Sequence, residues 1–174
     1  MKFFKENIVY SSNVLVAKEE HFAYADFPLH YHPEYEIILI LKGNGKRIVG
    51  DNVSEFSAGD LCFFGPNLLH TYNNTHIAVD REIHQIVIQF DENFLGKGFF
   101  DIGPFKRIKS FLKHSSQGYK FHGQTLKAVT SQVRNLVKRD DADIIIHFLS
   151  KSKEFSTLAS ISFDTTSIRR SQKD

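Results

Sequence analysis

Three histidines and a glutamate fall into one spaced pattern, His30-x-His32-x3-Glu36-x6-Gly43 followed by Gly59-x10-His70-x3-Asn74. Imidazole and carboxylate groups ligate Zn, Fe, Ni, Cu or Mn, and three or four of them around an open position suit metal-assisted catalysis or ligand capture. His30, His32, Glu36 and His70 are therefore candidate metal ligands, and one divalent ion (Zn, Fe, Ni or Mn) is the candidate cofactor. A metal-free reading stands beside it. His32 and His70 would then be core or pocket-mouth histidines bonded to backbone. The clustered imidazoles would stay neutral, Glu36 would fix one tautomer, and a polar pocket would still result.

Ligands this far apart in the chain meet only if strands position them. Side chains alternate across a strand, so His30, His32 and Glu36 share a face if 30–41 runs unbroken; Pro33, which lacks a donor, predicts an edge or a bulge there. His70 must arrive from another strand. Short β-branched and aromatic runs at Val14–Ala17, Ala23–Phe27, Glu36–Leu41, Arg47–Val49, Leu61–Phe64 and Ile83–Phe90 supply the strands of an all-β sandwich or barrel. Lys42-Gly43-Asn44-Gly45 reads as a tight hairpin, and Gly50-Asp51-Asn52 and Ala58-Gly59-Asp60 as further reversals. Glu34 is assigned to solvent. The aromatics Phe22, Tyr24, Phe27, Tyr31, Phe63, Phe64 and Tyr72 either floor a sugar pocket or pack the core. Of these, Tyr24 and Phe64 join the four polar residues as candidate pocket lining. His21, His76, His84, His114, His122 and His147 show no ligand spacing and read as surface or turn residues.

The periodicity changes after residue 100. Phe105, Ile108, Phe111 and Leu112 within 104–115, and Leu126, Val129, Val133, Leu136 and Val137 within 123–139, predict two amphipathic helices. A third apolar segment, read as helix, contains Ile144, Ile145, Phe148 and Leu149, which are candidate dimer-interface residues. Residues 151–174, rich in Ser, Thr and charge, read as a linker. The divisions expected are thus 1–100 for the β-domain, 101–150 for the helical segment and 151–174 for the linker.

With 174 residues, 41% hydrophobic, 24% charged and a formal charge of +2, the chain is long enough for one well-cored domain and too evenly charged to hold nucleic acid by itself. The single cysteine, Cys62, excludes an internal disulfide and reads as a buried, inert thiol, which favours a reducing compartment. No apolar run approaches the ~18 residues of a membrane span, and no secretory signal is recognisable, so a cytoplasmic location is expected. No GxSxG, GKS/GKT or cysteine cluster is present, which sets aside several hydrolase, nucleotide-binding and zinc-finger classes.

The two histidine blocks resemble the paired motifs of the cupin superfamily. The stretch FPLHYHPEYEIILILKGNGKRIVGDNVSEFSAGDLCFFGPNLLHTY resembles the amino-terminal sensor domain of AraC-type transcription regulators. The match departs at Tyr24, where cupins carry Gly, and at Gly65-Pro66-Asn67, where they carry Pro-x-Gly. The resemblance implies a mostly β, cupin-like double-stranded β-helix (a jelly-roll barrel) followed by C-terminal α-helices. It also implies a small-molecule effector in the barrel, for example a sugar, and a homodimer formed through the helices. DNA would be contacted only through a C-terminal helix-turn-helix domain not present here, which makes this chain a piece of a longer regulator. The competing expectation is a metal-dependent cupin enzyme of dioxygenase or isomerase type, using His30, His32, Glu36 and His70.

Overall fold

The computed structural model describes residues 3–8, 15–77, 80–139, 143 and 166–167. Strands follow the alternating and β-branched runs in chain order: β1 (Phe4–Lys5), β2 (Leu15–Phe22), β3 (His30–Tyr31), β4 (Tyr35–Lys42), β5 (Asn44–Val49), β6 (Asn52–Ser57), β7 (Leu61–Phe64), β8 (His70–Asn73) and β9 (Ile83–Phe90). Helix α1 (Lys106–His114), the short strand β10 (Tyr119–Lys120), helix α2 (Gly123–Leu136) and β11 (Thr166–Ser167) follow.

The pairing is nested. Strand β5 pairs with β6, β4 with β7, β3 with β8 and β2 with β9, all antiparallel. This long ribbon rolls up so that successive pairs alternate between two sheets, β1-β3-β8-β5-β6 and β11-β10-β7-β4-β9-β2, with β5–β8 and β4–β9 contacts closing each sheet. Such wrapping defines a jelly roll, the architecture of the cupin barrel. It lies at the root of the site, because residues remote in sequence become cross-strand neighbours.

Turn chemistry sets the roll, and here one expectation needs correcting. The Lys42–Gly45 segment is not a hairpin, because β4 and β5 belong to different sheets. Gly43 turns the corner at φ +103°, and a Cβ there would lie 2.5 Å from Ile83 Cδ1 and 2.7 Å from the Glu82 carbonyl oxygen. The true hairpin is β5–β6, where Val49 faces Asn52 across Gly50-Asp51 and Gly50 takes φ +59°. At Ser57–Asp60 the Asp60 N–H donates to the Ser57 carbonyl at 3.0 Å with Gly59 at φ +91°, as a type II turn requires.

Strand β4 is buried on both faces from Tyr35 to Ile40, and parity divides its partners. Inward-facing Ile38 and Ile40 pack with Val49, Phe56, Cys62, Phe64 and Ile83 between the sheets. Outward-facing Ile37 and Leu39 join Leu61, Phe63, Ile86, Ile88 and Phe90 against Ile108 and Leu112 of α1 and Val129, Val133 and Leu136 of α2. The apolar stripes predicted for the helices are thus buried against the barrel itself, with both helices shorter than their predicted windows. Cys62 is fully buried, and burial pushes its thiol pKa up, in keeping with an unreactive sulfur.

Other expectations change. No strand forms over Ala23–Phe27, where only Asp26 bridges to Asn73. Residues 30–41 do not run as one strand: the chain bends at Pro33 and Glu34, which lets His30 sit in one sheet and Glu36 in the other. Ile144, Ile145, Phe148 and Leu149 lie outside the described residues, as does nearly all of the predicted linker. Among the described residues no helix is long and apolar enough to cross a membrane.

Candidate functional site

One mouth of the barrel opens into a cavity of about 370 Å³. Its lining follows the two-residue period of the strands: Lys18, Glu20 and Phe22 from β2, Glu36 and Ile38 from β4, His70 and Tyr72 from β8, and Gln85, Val87 and Gln89 from β9. The segment between β2 and β3 adds Tyr24, Ala25, Asp26 and Phe27, while Glu6 enters after β1 and His30 from β3. Asn74, which closes the second motif, holds this rim in place. Its side-chain oxygen accepts from the Ala25 N–H at 2.7 Å and its amide donates to the Arg81 carbonyl at 2.7 Å.

The predicted polar constellation converges at the base of the cavity. His30 and His70 are register partners on β3 and β8 with ring centroids 4.2 Å apart, and His32 meets His70 edge-on at 5.2 Å. Glu36 reaches them from the opposite sheet. Its Oε2 lies 3.2 Å from His32 Nε2 and accepts from the Gln89 amide at 2.8 Å, while Oε1 lies 3.4 Å from His70 Nε2. His30 Nδ1 pairs with the Pro28 carbonyl at 3.0 Å and His70 Nδ1 with the Leu68 carbonyl at 2.8 Å. If those nitrogens donate, the Nε2 lone pairs are left to face the cluster.

Burial and charge oppose one another here. Burial alone would raise the Glu36 pKa, but His70 and the His32 hydrogen bond outweigh it and hold the carboxyl well below its usual range. Burial also acts to lower His32, yet the Glu36 hydrogen bond and the charges of Glu36, Glu34 and Glu6 leave it raised. His30, desolvated and beside His70, is pushed down to about 4. Burial lifts the Glu6 carboxyl above its ordinary value. The base of the cavity therefore holds a carboxylate, Glu36, against His32, which favours its proton, while His30 in the same cluster rejects one.

The donor set fits a metal. Ligating atoms of His30, His32 and His70 all lie within 4.8 Å of one another, and Glu36 borders the group. His70 Nε2, which faces the cluster, is buried with no hydrogen-bond partner among the described residues. Two of the three imidazoles are oriented through Nδ1 by backbone carbonyls, and His32 Nδ1 lies 3.5 Å from Glu34 Oε2; such outer contacts commonly orient metal-bound histidines.

The candidate residues divide accordingly. His30, Glu36, His70 and Tyr24 line the cavity, with Tyr24 on its rim at 46% exposure. His32 sits behind the wall against Glu36. Phe64 is not a wall residue; it backs His70 at 4.7 Å between ring centroids. Glu34, expected in solvent, is only 8% exposed because the bend after Pro33 turns it back against His32. His21 and His84 do lie at the surface, but cross-strand pairing of β2 with β9, which their spacing did not announce, stacks their rings 3.7 Å apart. Sequence reasoning missed Lys18, Glu20, Gln85 and Gln89. A signal was available for the glutamines: both interrupt the apolar strand IHQIVIQF in the same phase, which marks a wetted inner face.

The family model described as the AraC-like ligand binding domain matches residues 13–128. The HTH-type transcriptional activator RhaS of Escherichia coli O81 (strain ED1a) is 34% identical over 73% of this chain and 42% of its own length. The protein of the same name from Escherichia coli O1:K1 / APEC is 32% identical over the same shares. This chain thus spans less than half the length of these relatives. Among solved structures, a cupin 2 conserved barrel domain protein from Salinispora arenicola CNS-205 aligns with TM-score 0.41 and 20% identity over 51% of this chain and 74% of that one. On the match over residues 13–128, the chain belongs to the family of AraC-like ligand binding domains.

Proposed function

We propose that this domain senses a neutral, polyhydroxylated small molecule of the sugar class and acts by binding it, not by turning it over. The observation that carries this reading is the cavity wall. Glu20 accepts from the Gln85 amide at 3.0 Å and Glu36 from the Gln89 amide at 2.8 Å, so two carboxylate–carboxamide pairs stand in line on β2, β4 and β9. Each pair offers acceptors and donors together, as a row of hydroxyl groups requires. Phe22, Tyr24 and Phe27 at the rim provide apolar faces for the carbon skeleton. Four acidic residues, Glu6, Glu20, Asp26 and Glu36, against one lysine, Lys18, disfavour an anionic ligand. The cavity of about 370 Å³ falls within the usual range for small-molecule sites.

In the whole regulator, effector binding would bias how two subunits present DNA-binding units. This requires different affinities for two states of the protein. The barrel of 1–100 would sense, the segment 101–150 would form a homodimer through Ile144, Ile145, Phe148 and Leu149, and 151–174 would lead to a helix-turn-helix domain. That last assignment rests on the HTH-type activators that this chain matches over part of their length. A cytoplasmic location follows from the same reading.

The grouping of His30, His32, His70 and Glu36 favours a second reading, a metal-dependent cupin enzyme of dioxygenase or isomerase type. These four residues would hold one divalent ion of the Zn, Fe, Ni or Mn class, which would supply Lewis acidity at the cavity base. One experiment separates the two. Neutral pentoses and hexoses, with uronic acids as anionic controls, are screened by thermal shift, alongside elemental analysis of wild type and His30→Ala/His32→Ala. A neutral sugar at a hundred times its Kd should add about 2.7 kcal/mol, or roughly 5–11 °C for a chain of this size. Stabilisation by the uronic acids alone overturns the neutral-ligand reading; stoichiometric metal together with consumption of a bound sugar favours the enzyme.

A further inference from the structure

Outside the barrel, a second group of ligating side chains stands on the far face of the same strands. Along β2 the even residues face the cavity, so Glu19 and His21 face out; on β9 the odd residues face the cavity, so His84 also faces out. His21 and His84 are direct cross-strand partners, with rings stacked at 3.7 Å and an interplanar angle of 24°. Glu19, two residues before His21 on the same face, brings Oε1 to 2.6 Å from His84 Nε2. One donor atom from each of the three residues lies within 4.8 Å of the others.

We propose that Glu19, His21 and His84 form a surface binding site for a divalent transition-metal ion, separate from the barrel and independent of what the barrel binds. Two imidazoles and a carboxylate are borderline donors that select Zn²⁺, Ni²⁺, Co²⁺ or Cu²⁺ over Mg²⁺ and Ca²⁺. Metal bonds of about 2.0–2.2 Å draw ligand atoms to within roughly 4 Å of each other. To aim their in-plane lone pairs at one ion the two stacked rings must turn out of the stack, which side chains at this exposed or partly exposed edge have room to do. The neighbouring charges permit the ion. Lys42, the register partner of His84 on β4, is tied to Glu82 at 2.5 Å and to Asp80 at 3.6 Å, so its cation is already compensated by two carboxylates on the same side. Strand β2 ends its sheet, and an ion shared with β9 would pin this edge while Lys18, Glu20 and Phe22 face the cavity from the other side.

The test uses the full chain free of any polyhistidine tag, labelled with ¹⁵N and titrated with Ni²⁺. At one to two equivalents, paramagnetic broadening should appear at the amides of residues 19–21 and 83–85, and Mg²⁺ or Ca²⁺ should leave them sharp. In His21→Gln/His84→Gln that broadening should vanish while any effect around His30 and His70 persists. Calorimetric titration of Zn²⁺ into a His30→Gln/His32→Gln background should show at least a tenfold loss of the remaining affinity when His84→Gln is added, since even outer-shell changes cost 10–100-fold. Sharp amides at 19–21 and 83–85 in wild type would overturn the proposal. So would broadening there that survives the His21→Gln/His84→Gln exchange. Both substitutions lie on the surface, and the wild-type spectrum is decisive without them.

Discussion

Among the described residues Arg47 is the largest of the fully buried side chains, at 1% exposure, and it reaches from β5 in one sheet to Cys62 in the other. Its Nη1 donates to Asp60 Oδ2 at 3.2 Å and to Cys62 Sγ at 3.0 Å, its Nη2 donates to Ser54 Oγ at 3.2 Å, and the guanidinium lies 5.8 Å from the Tyr72 ring centre. Asp60 also meets Lys120 Nζ of β10 at 2.5 Å. The two partners are therefore unequal. Asp60→Ala removes the counter-charge of a buried cation and should cost about 3–5 kcal/mol. Arg47→Met leaves Asp60 with Lys120 and should cost about 1–3 kcal/mol, the scale of lost hydrogen bonds. In the double variant no buried cation remains, so its cost should fall short of the sum of the two by up to about 3 kcal/mol. Urea unfolding of all four proteins, compared at constant m, measures each term. The Asp60→Ala loss corresponds to roughly 6–20 °C in Tm. If Asp60→Ala is too unstable to purify, Asp60→Asn, which keeps an acceptor, should fall between it and wild type. An Asp60→Ala protein within about 1 kcal/mol of wild type, or strict additivity, would refute the view that this ion pair is a buried and interdependent brace between the sheets.

Three other outcomes follow from the site and its frame. His30, held down to about 4 from an ordinary 6.5, binds its proton less readily folded than unfolded, so stability should fall as pH drops from 6.5 to 4, by up to about 3 kcal/mol from this group. In EDTA-treated protein His30→Gln should flatten that slope, and an unchanged slope would contradict it. Gly43→Ala must place a methyl group against Ile83 and the Glu82 carbonyl at φ +103°, and should destabilise by more than about 2 kcal/mol in urea melts; Gly59→Ala, with no neighbour within 4 Å of the added Cβ, should cost clearly less. Once a stabilising sugar is found, Gln89→Leu and Gln85→Leu should each weaken its binding by about 1–3 kcal/mol, read by calorimetry, because the paired carboxylate loses its amide.

The barrel was legible where local pattern and global role coincide. Ile37–Leu41 and Leu61–Phe64 are apolar on both parities because the sheet they share is covered on both faces, and Ile83–Phe90 keeps an unbroken apolar set at Ile86, Ile88 and Phe90 on the helix side; such runs announce themselves. The strand carrying His30 was not visible as one: it is two residues long, ends at a bend, and gains its place from pairing with β8. Gly43 was misread because a glycine-rich reversal has the same composition whether the next strand pairs with the last or crosses to the opposing sheet. Of the four spaced residues, His30, Glu36 and His70 line the cavity and His32 backs Glu36 behind its wall. The rest of that wall was harder, since Lys18 and Glu20 look like solvent-facing residues until β2 is known to turn its even side inward.

That inward side also bears on how a bound ligand could be felt elsewhere. On β9 the residues facing the cavity, Gln85, Val87 and Gln89, alternate with Ile86, Ile88 and Phe90, which pack in one cluster with Val129, Val133 and Leu136 of α2. On β4, Glu36 and Ile38 alternate in the same way with Ile37 and Leu39. A single strand layer thus has the cavity on one face and the helical core on the other. Close-packed interiors pass small displacements on instead of absorbing them. A ligand that draws Glu36 and Gln89 toward its hydroxyl groups would have to move the backbone on which α2 rests, or hold it still. Were two arrangements of this layer to hold Glu36 and Gln89 differently, a ligand would bind one of them more tightly and shift the population toward it, which is the physical requirement for the proposed sensing.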